Sequence, residues 1–258
     1  MTEILRIHNL HKVFPGKRRR DRPVVAIGDV DLDVSAGEFI SIVGPSGCGK
    51  STLLYIIGGF LKSSSGVVEF NGAPITGPAP ARGIVFQAYG LFPWKTVLGN
   101  VEAGVATRGL PRAARRQEAR RFLDIVGLSD VERLYPSALS GGMQQRVAIA
   151  RTLAQDPELL LMDEPFGALD AQTRAQLQTE LLDIWELSHK TVVFVTHSVE
   201  EAIFLSDRVI VLGHRPSIVR EVIHIPVPRP RLRETVLEHP EYPALNRRVW
   251  DLLEAPAC

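Results

Sequence analysis

Gly44, Gly49, Lys50 and Ser51 stand in the spacing G-x-x-x-x-G-K-S within the stretch from Ile40 to Thr52. Those residue types in that order suit the holding of a phosphate chain. Glycines let successive backbone N–H groups turn inward with no Cβ in the way, which makes a concave anion site. A helix opening near Gly49 adds unpaired N–H groups and the positive end of its dipole. Lys50 then reaches the β/γ-phosphates as a point charge, while the Ser51 hydroxyl offers the kind of oxygen that Mg²⁺ prefers. Pro45, Ser46, Gly47 and Cys48 form the body of the turn, and Thr52 follows Ser51 into the helix. Four fixed positions match by accident in roughly one chain of this length per hundred. An apolar strand before the turn (Phe39 to Val43) and an apolar helix after it (Leu53 to Phe60) make accident rarer still.

Holding a phosphate is not yet cleaving it. The apolar run Leu159–Met162 ends in Asp163-Glu164, and the C-terminal end of a buried parallel strand is where α/β sheets bind ligands. There Asp163 suits Mg²⁺, directly or through water, and Glu164 suits polarisation of an attacking water; the plainer alternative is an acidic pair that only starts a helix. His197 closes the apolar run Val192–Thr196, so it emerges on the same rim, able to bond a γ-phosphate or to serve as a structural histidine. Ser140, in the N-cap position of a helix, is followed by Gly141 and Gly142. This is a second anion-binding helix start in the style of the first. Two such grips in one chain make sense if the second holds another subunit's nucleotide.

These groups must be positioned by elements the pattern also predicts. Residues 3–14 and 24–34 read as strands, and Val30–Val34 alternates as a half-solvated antiparallel strand does. Asn71-Gly72 between short apolar runs signals a hairpin over 66–75, and 83–87 forms a further short buried strand. From about 97 to 155 the chain is helical; the segment 111–126 places Arg112, Arg115, Arg116, Arg120 and Arg121 opposite Phe122, Ile125 and Val126. A βαβ cadence follows, with apolar runs at 158–162, 191–196 and 208–212 alternating with helices at 171–188 and 198–206, which implies a covered parallel sheet. Ser198 with Glu201 has the spacing of a capping box. The Pro-rich tail holds an edge strand at 217–225 and a short helix that aligns Leu245, Val249, Leu252 and Leu253.

Bulk properties narrow the classes. A net charge of +1 gives no global field for nucleic acid, so the arginines of 111–126 read as a solvated face. The basic run Lys17–Arg20 with Arg22 is a solvated turn or a contact with anionic lipid or a partner. Two cysteines, Cys48 and Cys258, make no disulfide framework and suit a reducing compartment. No apolar run nears the ~18 residues of a membrane span, and no signal peptide is seen, so any membrane role is borrowed from a partner.

Gly44–Thr52, Gln87, Leu139–Arg146, Leu159–Glu164, Ala168-Leu169-Asp170 and His197, in that order, resemble the motif set of ATP-binding cassette (ABC) transporter ATPases. The resemblance runs from residue 4 to about 225. It implies an α/β fold of the P-loop NTPase type with a RecA-like core, an antiparallel β subdomain and a helical subdomain at about 97–155. A tail over 226–258 with a short helix follows. ATP and Mg²⁺ are the implied cofactors. Gly44 to Thr52 would hold the phosphates, with Ser51, Gln87 and Asp163 around the metal and Gln87 also sensing a transmembrane partner. Ser140, Gly141 and Gly142 would meet the opposing subunit's γ-phosphate, Glu164 would be the general base, Asp170 a dimer-interface residue and His197 the γ-phosphate switch. Phe14 stands where the family stacks a ring on adenine, or is a core or turn aromatic. The family also implies a head-to-tail homodimer with two ATP molecules at its interface.

Within the family, Phe86–Trp94, Thr96–Val101 and Asp163–Asp170 are similar to importers of the nitrate/sulfonate/taurine type. That implies transmembrane permease subunits as partners, a periplasmic or lipid-anchored substrate-binding protein reached indirectly, no nucleic acid, and a peripheral place on the cytoplasmic face of the cell membrane. Trp94 is then either an exposed docking anchor or a packed core residue. The tail leaves no room for the regulatory β-domain that sugar-type importers append. Two departures are a longer basic loop at 17–22 and Ser198 where Asp is commoner. An exporter ATPase, or a soluble cassette acting on nucleic acid, are the alternatives; one contiguous cassette without heptads and with near-zero net charge disfavours the latter.

Overall fold

The structure, a computed structural model, describes residues 2–16, 22–167 and 169–255. Lys17–Arg20 of the basic loop, Ala168 and Cys258 therefore lie outside the described residues. In chain order the elements are β1 (Glu3–Phe14), β2 (Val24–Ser35), β3 (Phe39–Val43), α1 (Lys50–Ile57), β4 (Ser65–Phe70), β5 (Ala73–Pro74), β6 (Arg82–Val85), α2 (Val97–Val105), α3 (Arg112–Ile125) and α4 (Gly141–Leu153). They continue with β7 (Leu159–Asp163), α5 (Ala171–Ser188), β8 (Thr191–Thr196), α6 (Val199–Leu205), β9 (Arg208–Leu212), β10 (Val219–His224), α7 (Arg233–Leu237) and α8 (Tyr242–Glu254). The chain divides into two compact units, one of residues up to Pro78 with those from Thr191 onward, the other Ala79–Lys190.

The first unit holds two sheets. One is antiparallel, in the order β2-β1-β4-β5. Along β2 the buried Val30, Leu32 and Val34 alternate with exposed Asp31 and Asp33, as a strand wet on one face requires. Asn71 and Gly72, both at positive φ (51° and 72°), make the tight turn between β4 and β5. The other sheet runs β10-β9-β3-β8. Strands β8, β3 and β9 are parallel, with β10 antiparallel on the edge. Every residue of β3 and β8 is buried, which explains their unbroken apolar runs. Phe39 and Phe194 meet in this layer with ring centroids 6.0 Å apart.

Helix α1 stops at Ile57, short of the expected Phe60, because Gly58 and then Gly59 at φ 80° follow; Phe60 is left exposed. The tail brings α8 against α6 and β9. Leu245 and Val249 of α8 are buried, whereas Leu252 and Leu253 are only half-buried. Helix α7 had no sequence expectation. The tail is held instead by Arg231, buried, which donates to the carbonyls of Ile203, Phe204 and Ser206 at the end of α6 and to Val227.

In the second unit β6 and β7 pair in parallel. Helices α2, α3 and α4 close on a core that includes Val97, Val101, Val105, Leu123, Val147 and Ala150. The apolar face expected of α3 is shifted: Ala119 and Leu123 are buried and Val126 caps the core, but Ile125 is 46% exposed. The helix face that meets α2 and α4 runs through 119, 123 and 126, one turn apart, and 125 falls off it. Three of the arginines opposite are ion-paired, Arg116 to Glu102, Arg120 to Glu132 and Arg121 to Glu118. The strand expected over 83–87 ends at Val85, so Gln87 lies in the turn beyond it.

Candidate nucleotide site

In the first unit the sequence from Gly44 to Gly49 links β3 to α1 as a closed turn. Gly49 caps the helix at φ 117°, and a Cβ there would sit 2.9 Å from the Ala26 carbonyl, so only glycine fits. A Cβ on Gly44 would press on the Cys48 Sγ at 2.8 Å, which places the buried Cys48 under the loop as packing. The first intrahelical bond runs from Leu53 N–H to Gly49 O. The N–H groups ahead of it belong to the helix start, where the dipole is positive.

The loop's carbonyls are meanwhile occupied. Lys50, 5% exposed, donates to Gly44 O at 2.8 Å and to Pro45 O at 3.1 Å. Arg215 donates to Gly47 O at 2.8 Å, and the Ser217 hydroxyl donates to Cys48 O. Carbonyls turned to these donors leave the opposite, N–H face of the loop for an anion. Arg215 and Ser217 were not foreseen: they sit in a loop after β9, about 170 residues downstream, with no local pattern to mark them.

Parallel register then brings His197 into place. Val43 pairs with Thr196, so Gly44 and His197 are the next residues on neighbouring strands at one sheet edge. His197 is exposed there. The capping box expected from Ser198 and Glu201 is half formed. Ser198 Oγ accepts from Glu201 N–H at 3.3 Å, but the Glu201 carboxylate accepts from the Thr196 hydroxyl, and Ser198 N–H goes to Thr196 Oγ1 at 3.0 Å. Phe14, 36% exposed, ends β1 with the Lys12 ammonium 5.0 Å from its ring centroid.

In the second unit the same logic joins Gln87 to Glu164. Val85 pairs with Met162, so residues two beyond each meet past the strand ends, and Gln87 Nε2 donates to Glu164 Oε2 at 3.4 Å. Asp163 is the buried last residue of β7, and Glu164 takes a left-handed φ of 44°. A carboxylate held in that uncommon conformation is turned by the backbone rather than by chance. The pair therefore ends a strand and does not start a helix.

Ser140 caps α4, its Oγ accepting from Met143 N–H at 3.3 Å, with Ser140 and Gly141 exposed and Gly142 buried. A Cβ on Gly142 would lie 2.7 Å from Thr173 Cγ2. Asp170 caps α5 by accepting from Thr173 N–H at 3.0 Å; that bond, with the Thr173 side chain, holds its carboxyl below the ordinary value. Thr173 thus touches both the Ser140 turn and Asp170.

The segment between Gln87 and α2 is pinned from behind. Arg151, buried, donates to Gly90 O at 2.6 Å and Tyr89 O at 3.0 Å, with Phe92 beneath its guanidinium. Asn100, fully buried, accepts from Phe92 N–H and donates to the carbonyls of Phe92, Lys95 and Thr96. On this fixed loop Trp94 is 71% exposed, its ring 5.6 Å from Phe92. It is not a packed core residue.

Comparison with known proteins identifies the family. The sequence model of the ABC transporter family matches residues 27–167. An uncharacterized ABC transporter ATP-binding protein of Methanocaldococcus jannaschii is 52% identical over 250 residues, which is 97% of this chain and 91% of that protein. A nitrate import ATP-binding protein of Synechococcus elongatus is 47% identical over 98% of this chain and 92% of its own length. Among solved structures, a dimeric ATP-binding cassette in a post-hydrolysis state bound to ADP and Pi has a TM-score of 0.76 at 33% identity, covering 86% of this chain and 99% of that one. The α/β fold is accordingly that of a P-loop NTPase. This chain belongs to the ABC transporter family and is one of its ATP-hydrolysing, ATP-binding cassettes.

Proposed function

We propose that the chain is the ATPase subunit of an importer for a small oxyanion such as nitrate, a sulfonate or taurine. In this reading it works as a head-to-tail homodimer on the cytoplasmic face of the cell membrane, beneath transmembrane permease subunits fed by a periplasmic or lipid-anchored binding protein. The observation that carries the reading is the 47% identity, over 98% of the chain, to a nitrate import ATP-binding protein. A bicarbonate transport ATP-binding protein of the same organism, 45% identical over 96% of this chain and 38% of its own length, points to the same class of anion. Trp94, exposed on a loop braced by Arg151 and Asn100, is the docking anchor for the permease. Three arginines of α3, Arg116, Arg120 and Arg121, are ion-paired to glutamates, which supports reading them as a solvated face rather than as a nucleic-acid patch.

Catalysis follows from the chain's own groups. The N–H face from Gly44 to Thr52 binds the phosphates, and Lys50 exchanges its two loop carbonyls for phosphate oxygens. Phe14 stacks on the adenine. Glu164 takes a proton from the attacking water as general base, and Gln87 holds its carboxylate in direction. His197 donates to the γ-phosphate. Ser140, Gly141 and Gly142 present the start of α4 to the nucleotide of the opposing protomer, next to Asp170 at the interface. Ser51 Oγ in the first unit, and the Gln87 amide oxygen and the Asp163 carboxylate in the second, are each hard oxygen donors of the kind that Mg²⁺ takes. When bound, that ion neutralises charge on the β- and γ-phosphates.

A Glu164→Gln variant tests the chemistry: it binds ATP and dimerises but turns over at least a hundredfold more slowly, and parental turnover would remove Glu164 as the base. Uptake of labelled nitrate, taurine and bicarbonate by cells with and without the gene tests the cargo. Unchanged uptake of all three refutes the oxyanion reading.

A further inference from the structure

We propose that Glu201 is a positioning residue for His197, acting through the Thr196 hydroxyl; the inference rests on the role given to His197 above. Thr196 and Glu201 are 1% and 7% exposed, so their side chains interact away from bulk water. The ordinary cap of α6 is already made by Ser198 Oγ. The Glu201 carboxylate instead reaches back past the cap to Thr196, on the far side of His197.

The direction of these bonds is what matters. A carboxylate only accepts, so the Thr196 hydroxyl must spend its proton on Glu201. Its lone pairs are then turned outward, and one accepts the Ser198 N–H at 3.0 Å. Residues 196 and 198 are thereby tied through one oxygen, and His197 between them is left one backbone course. The strand side of that turn is set by the pairing of Thr196 with Val43, next to Gly44 of the phosphate loop. Without the carboxylate the hydroxyl is free to rotate, and a proton pointed at Ser198 N–H opens the turn.

The test uses the full chain with isotope-labelled histidine, the His197 imidazole signal being identified by its loss in His197→Ala. That signal is sharp in the parent and in Thr196→Ser, which keeps the hydroxyl, and is broadened or doubled in the near-isosteric Thr196→Val. Thr196→Val lowers kcat for ATP tenfold or more with KM within twofold, and Thr196→Ser retains at least half of parental kcat. Added to His197→Ala, Thr196→Val changes kcat less than twofold, because the hydroxyl acts only through the histidine. A merely structural role moves the melting temperature but gives independent losses in that cycle. An unmoved His197 signal in Thr196→Val, or a loss as large in the His197→Ala background as in the parent, overturns the proposal. Should Thr196→Val not fold, Glu201→Gln keeps the shape while adding a donor; it broadens the signal if the carboxylate sets the hydroxyl's direction, and an unchanged signal overturns the proposal. If the signal moves but His197→Ala turns over at parental rate, the role of His197 fails and the positioning stands.

Discussion

Gly142→Ala perturbs the point where the Ser140 helix start meets the Asp170 loop. The new Cβ would lie 2.7 Å from Thr173 Cγ2, against the 3.5–4.0 Å or so of a relaxed carbon contact. Either the methyl of Thr173 or the first turn of α4 must give by close to an ångström. Adding one carbon to a filled site costs about 1–3 kcal/mol. Alanine recovers up to ~1 kcal/mol of helix propensity, less at the second helical position than in an interior. The net loss is about 1–2 kcal/mol, which for a chain of this size lowers the melting temperature by roughly 2–8 °C. Thr173→Ser removes only the offending methyl and keeps the hydroxyl and N–H that hold Asp170. The double variant Gly142→Ala/Thr173→Ser therefore melts close to Thr173→Ser alone, giving a coupling of about 1–2 kcal/mol. Thermal unfolding of the four proteins, followed by circular dichroism with ATP turnover in parallel, reads the cycle. In the strained single variant turnover falls, since the helix start must move, and it recovers in the double. Additive losses would refute the claim that these two motifs share one packing contact.

Other perturbations separate the remaining claims. Arg231→Met strips the donor from five carbonyls of α6 and the tail, leaving buried acceptors unmet; stability falls by about 3–5 kcal/mol in a melt, and a loss under 1 kcal/mol contradicts the assigned clamp. Asp156, whose carboxyl is held below its ordinary 3.8 by the Lys190 ammonium, contributes stability that is present above the unfolded value and lost as pH falls through the folded one. The melting-temperature gap between parent and Asp156→Asn, small because the Asp156 carboxylate is largely exposed, is thus open at pH 7 and closes below about pH 4. A gap that widens in acid reverses the sign and the reasoning. Trp94→Ala leaves the fold's melting temperature within about 1 °C, since the ring is mostly in solvent, yet the protein no longer co-purifies with permease subunits in detergent; undiminished recovery removes Trp94 as the anchor.

What the sequence disclosed, and what it hid, divides along a physical line. Strands β3, β8 and β9 and helix α5 were readable because burial on both faces, or an uninterrupted helical period, imposes a pattern within a few residues. The turn from Gly44 to Gly49 was readable for a related reason: it demands glycine at fixed offsets, and Gly49, at φ 117° and close to the Ala26 carbonyl, is one such position. Side chains that hold such a loop in shape carry no offset. Arg215 and Ser217 could have reached Gly47 and Cys48 from any loop that the topology brought near, and β9 happens to deliver them. Arg151 and Asn100 behind the Trp94 loop, and Arg231 under α6, are of the same kind. Even where spacing was informative it named the wrong partner: Ser198 and Glu201 have the separation of a reciprocal cap, but a buried Thr196 hydroxyl one residue before His197 competes for both the carboxylate and the N–H. Local sequence specifies the groups proposed to touch phosphate, because a phosphate site would demand them at fixed offsets. The groups that fix those groups are set by the fold, and they become legible only after β3 and β8 have been laid side by side.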